Sequence, residues 1–138
     1  FWWLDAGNGD EWGQIFIGNT GNRGYLQGAF SQQEGRVYRL PLPTLQRPEL
    51  LVPAPALDLN CAEGVDAGAQ GPTVNQFMAS VVLECLRRLL GGDCPWMQVY
   101  MNAREMSLRA VDATPELVSK ITGVPVKRLI SKGKERYG

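Results

Sequence analysis

Apolar residues recur through positions 73–90 in steps of three and four: Val74, Phe77, Met78, Val81, Val82, Cys85, Leu86, Leu89 and Leu90. That spacing gathers them on one face of a helix and predicts an amphipathic element of about five turns. Arg87 and Arg88 lie off this face near the C-terminal end, where positive charge suits the helix dipole. Gly91-Gly92 then supplies a stop.

Elsewhere the period falls to two. Residues 1–8 (FWWLDAGN) read as a short buried strand ending at the turn Gly7-Asn8-Gly9. Residues 13–18 (GQIFIG) read as a second strand, with Ile15 and Ile17 on one face and Gln14 and Phe16 on the other. The link Asn8 to Trp12 is short enough for a hairpin. Residues 35–40 predict a third, more exposed strand. Residues 96–101 and 105–111 predict a hairpin around Asn102-Ala103-Arg104. Thr114-Pro115 opens a short helix over 115–122, closed by Gly123, and Pro125 opens another that runs to Ser131.

After the third of these strands comes a proline-rich stretch, residues 41–60. It holds five of the nine prolines, Pro41, Pro43, Pro48, Pro53 and Pro55. Proline lacks an N–H donor, so neither a helix nor a central strand is expected there. Interspersed leucines make the stretch an ordered, extended crossing segment. It either shapes a groove or lies as coil on the surface.

Composition narrows the chemistry. The chain has 138 residues, and its 14 Lys+Arg balance 14 Asp+Glu, so no global field favours a nucleic acid or a membrane. Histidine is absent, which removes His-based acid–base catalysis, Ser-His and Cys-His pairs and the commonest zinc ligand. Three cysteines, Cys61, Cys85 and Cys94, form no Cys-x-x-Cys pair, so no zinc site is expected. Sparse cysteine points to a reducing, cytoplasmic setting. No apolar run reaches the length of a bilayer span. The opening Phe1-Trp2-Trp3-Leu4 reads as the interior of a longer protein, cut within or just before a strand.

Residues 61–92 read CAEGVDAGAQGPTVNQFMASVVLECLRRLLGG. They resemble the C-terminal signature of the ThiF/MoeB and ubiquitin-activating family: Cys-Ala-Glu, a glycine-rich loop, Gly-Pro (here Gly71-Pro72), then a long helix carrying an acidic residue (Glu84) and ending in Gly-Gly. WWLDAGNGDEWGQIFIG resembles the two strands after that family's ATP site, and WMQVYM with EMSLRAV resembles its closing hairpin. Trp3-Leu4-Asp5-Ala6-Gly7-Asn8 and Val74-Asn75 look closest to the ThiF-like proteins of the PRTRC gene cluster. The resemblance spans roughly residues 1–111. It implies an α/β fold, the C-terminal half of a Rossmann-like ThiF domain with a mixed β-sheet, a long amphipathic helix and a closing β-hairpin. A short helical tail, 112–138, would follow.

The family adenylates the C-terminal glycine of a small ubiquitin-like or sulfur-carrier protein with ATP and magnesium. Its ATP loop and Mg-binding aspartate precede the part resembled here, so this chain alone is expected to be inactive. This half would provide the partner-tail groove, and a homodimer surface is implied. Cys61 matches the cysteine that forms a covalent link to the carrier in several relatives; a thiolate suits attack on an acyl-adenylate, and a packed, inert thiol is the other reading. Asp5 and Asn8 would approach the adenylate or the partner tail, or else bond their own turn. Gln14 matches a family residue, or satisfies a strand neighbour. Cys85 belongs to the core, and Cys94 to a loop. A non-catalytic scaffold of the same fold is the alternative function. The tail offers a second alternative: its six Lys/Arg against three acids, on two short helices, fit nucleic-acid binding as well as a solvated appendage.

Overall fold

The computed structural model describes residues 1–52, 68 and 71–131. Strands β1 (Trp3–Asn8) and β2 (Trp12–Gly18) form the expected hairpin, closed by the Gly9 N–H donating to the Trp12 carbonyl at 2.9 Å. A short ribbon follows, β3 (Phe30–Ser31) and β4 (Arg36–Val37). Helix α1 (Pro43–Gln46) and a 3-10 turn (Pro48–Leu51) come next, then the long helix α2 (Pro72–Gly91). Strands β5 (Trp96–Asn102) and β6 (Ser107–Asp112) make the second hairpin, and α3 (Pro115–Thr122) and α4 (Val126–Leu129) complete the described chain.

The main sheet has the order β1-β2-β5-β6, antiparallel at every pairing. The expectation of a mixed sheet is therefore corrected among the described strands. The path of the chain explains it. β2 ends at Gly18, whereas α2 starts beside the beginning of β2, where the Gly71 N–H donates to the Gly9 carbonyl at 3.3 Å. The chain has already returned to that end before α2 begins. α2 therefore runs in the direction of β2, and β5 comes back against it. A parallel neighbour requires the helix itself to make the return.

Two cores flank the sheet. On one face α2 packs Val74, Met78 and Cys85 against Ile15, Ile17, Val99 and Met101. Period two in β2 places Gln14 and Phe16 on the opposite face, as expected. There Leu26, Ala29, Phe30, Leu40, Met97, Val118 and Leu129 form the second cluster. A bulge in β5 lets one strand serve both cores. Trp96 pairs with Asp112 and Gln98 with Val111, so Met97 is an extra residue that turns into the second cluster while Trp96 stays against the first.

Several expectations change. The first strand is an edge strand, not a buried one; Phe1 is fully exposed and Trp3 is 63% exposed, because α2 covers only the inward side that carries Leu4. The third strand shrinks to two residues. The proline-rich stretch does start helices: Pro43 and Pro48 occupy first-turn positions, where the missing N–H has no partner to lose. On α2, Phe77, Leu86 and Leu90 are exposed, since the apolar arc is wider than the sheet it covers. The described part of the tail, residues 113–131, carries two short helices, with Thr114 capping α3 and Gly123 ending it at φ 76°. Its inner side is core instead of solvated, with Val118 and Leu129 fully buried. No helix among the described residues is long and apolar enough to cross a membrane.

Candidate functional site: the open face of the sheet

The face opposite α2 is only partly covered. Segment 40–52 crosses it beside β1 and β2 and leaves a cleft of about 320 Å³ lined by Trp3, Asp5, Leu42, Pro43, Thr44 and Leu50. Asp5 reaches this cleft because it sits on the outer face of β1, opposite Phe16. Gln14 shares that face, paired with Gly7 on one side and Tyr100 on the other. The structure thus brings Asp5 and Gln14 to one surface.

Asn8 goes elsewhere. It pairs with Gly13, on the α2 face, and its side-chain amide donates to the Asn75 side chain at the first turn of α2. That bond ties the end of β1 to the helix. Both members belong to the motifs that carried the family resemblance. Cys61 lies outside the described residues.

A polar array in the covered part of the face was not evident beforehand. Gln46 and Gln98 are buried. Gln46 Nε2 donates to the Ile17 and Pro41 carbonyls, both at 2.8 Å. Gln98 Nε2 donates to Gln46 Oε1 at 3.0 Å, and the Tyr100 hydroxyl donates to Gln98 Oε1 at 3.0 Å. Arg47 closes the outer end, with Nη1 3.5 Å from the Tyr100 hydroxyl and its guanidinium 5.7 Å from the centre of the Phe16 ring. Glu49 pairs with the other edge of Arg47; its carboxyl is held below the usual range by its own backbone N–H first and by Arg47 second. Alternating polar residues, Gln98 and Tyr100, inside the apolar strand WMQVYM were the signal available in the sequence.

The described thiols are poorly placed for chemistry. Burial pushes the Cys85 thiol up to about 11 and raises that of Cys94. A protonated thiol is a weak nucleophile. Among the described residues no group of three His, Cys, Asp or Glu side chains is placed to hold a metal ion. Of the two tail helices, α4 is a single turn of four residues, packed through Leu129.

No family model, no curated protein and no solved structure matches this chain.

Proposed function

We propose that this chain is the partner-binding half of a ThiF-type adenylating protein, in which an extended C-terminal tail of a small ubiquitin-like or sulfur-carrier protein lies on the open sheet face. The crossing of that face by segment 40–52 carries the reading, because it turns a flat sheet into a groove with Asp5 at its floor and Gln14 alongside. The order of hairpin, crossing segment, long helix and hairpin agrees with the resemblance in the sequence. ATP and magnesium would be bound by the half that precedes these strands in the family, and Cys61 would be the candidate for a covalent step. The exposed leucines of α2, Leu83, Leu86 and Leu90, offer a surface for the dimer the family implies.

Two measurements test this. The small Gly-Gly-ended protein encoded nearest this one is titrated into the isotope-labelled chain, and backbone shifts should cluster at Asp5, Gly7, Gln14, Thr44 and Leu50. ATP–pyrophosphate exchange by the protein joined to its preceding half should require that terminus. Shifts without exchange would favour the non-catalytic scaffold. Shifts confined to α3 and α4, with binding to DNA that salt weakens, would favour the nucleic-acid reading.

A further inference from the structure

The open face carries unequal charge, and its hydrogen bonds have a fixed direction. Strand register lines up Gly7, Gln14, Tyr100 and Arg109 as one row across all four strands. Arg109 is exposed, with its guanidinium 5.7 Å from the centre of the Tyr100 ring. Arg47, the residue after α1, approaches the same phenol at 3.5 Å from its oxygen. Two guanidinium groups therefore share one tyrosine. Glu49 pairs with Arg47, while Arg109 has no carboxylate partner among the described residues.

The buried array decides what Tyr100 can do. The Ile17 and Pro41 carbonyls only accept, so the Gln46 amide must donate to them. Gln46 Oε1 is then the acceptor for Gln98, and Gln98 Oε1 is the acceptor for the phenol. The phenol proton is committed inward. Tyr100 has no donor to offer a ligand; its ring and oxygen hold the two arginines. Next to it, the space over Gly7 is open: a side-chain carbon there would meet only Gln14, at 3.9 Å. A chain lying along this row would find room at Gly7, an amide at Gln14 and positive charge at Arg109, while Arg47 is already paired with Glu49. Asp5 stands one row away on the far edge strand.

Resting on the tail-groove reading above, we propose that the groove selects its partner by an acidic side chain, an aspartate or glutamate of the extended tail, received by Arg109 beside Tyr100. Guanidinium–carboxylate pairs combine charge with a fixed fork of donors, which makes them selective against an amide of the same shape.

The test uses Gly-Gly-ended peptides with one glutamate stepped along the sequence, each beside its glutamine twin, titrated against the whole chain by NMR. We expect one glutamate position to bind about tenfold more tightly than its twin, the size of one charge-assisted hydrogen bond. Arg109→Gln should equalise the two. Arg104→Gln should not, because Arg104 pairs with Glu11 at the hairpin turn, away from the row. Shifts on the open face with glutamate and glutamine equal at every position would overturn acid recognition and leave the groove reading intact. No shifts on that face with any peptide would overturn both.

Discussion

Gln46 joins three separate parts of the chain, and its removal would be felt in all of them. It is 6% exposed and supplies the donor for two main-chain carbonyls and the acceptor for Gln98. Gln46→Leu fills similar space but leaves those groups buried without partners. The expected cost is about 3 kcal/mol, read from the urea midpoint at unchanged slope. Tyr100→Phe removes a single donor at the outer end and should cost about 1 kcal/mol. If the two losses were equal, the array would not be anchored at Gln46. A second residue-scale effect is electrostatic. Glu84 accepts from Arg87 at 2.7 Å and from Arg88 at 2.8 Å, which holds its carboxyl at about 2, down from 4.5. A depressed carboxyl stabilises the fold above its unfolded value and loses that contribution as pH falls through its folded one. Glu84→Gln should therefore narrow the stability gap to the parent chain between pH 4.5 and about 2, and change nothing in the pH dependence above it. The site is exposed, so the effect should be small and should fade in salt.

At the scale of elements, two connections depend on single positions. Gly18 lies against the Pro41 carbonyl and the Leu42 backbone, so a methyl group there would collide with main chain that cannot swing away. Gly18→Ala should separate segment 40–46 from β2 and disturb Gln46 with it, giving an NMR shift pattern that extends to Tyr100. Thr114 accepts from the Leu117 N–H at 3.2 Å, and Thr114→Ala should cost about 1 kcal/mol in urea unfolding. The elements that were legible beforehand are those whose signals are local. The apolar period of α2, the Thr-Pro start and glycine stop of α3, and both hairpins could be read from neighbouring residues. The β5 bulge could not, because WMQVYM alternates acceptably with or without an extra residue, and packing from α3 and α4 decides where Met97 turns. Likewise the extent of the apolar face of α2 depends on how wide a sheet it meets, which left Phe77, Leu86 and Leu90 misplaced. The shared face of Gln14 and Phe16 followed from period two, whereas the hairpin register is what brings Asp5 to it. Arg47, Tyr100 and Arg109 come from three distant segments, and only the folded register sets them beside one another.

At the scale of the whole molecule, the described residues hold a four-stranded sheet between two cores, and the second core tests how far residues 113–131 belong to the domain. Met97 lies on the sheet, whereas Val118 and Leu129, from α3 and α4, close the cluster around Leu26, Phe30 and Leu40. Backbone bonds reinforce the closure: the Gly28 N–H donates to the Arg128 carbonyl, and the Ser131 N–H donates to the Phe30 carbonyl, each at 2.8 Å. Burying two such aliphatic side chains contributes about 4 kcal/mol before the contacts they protect are counted. That is a large share of the roughly 5–15 kcal/mol by which a domain is stable. A chain ending at Asp112 should therefore lose its cooperative melt, bind a dye that reports exposed apolar surface, and lose amide protection first in residues 26–40. The β1-β2 hairpin under α2 should keep its protection longer, since its core, Ile15 and Ile17 against Val74 and Met78, lies on the other face. Deleting a solvated appendage would instead leave the melting temperature and the protection of residues 26–40 unchanged. A truncated chain with that behaviour would show that α3 and α4 only rest on the domain, and that segment 20–40 reaches its place across the sheet without them.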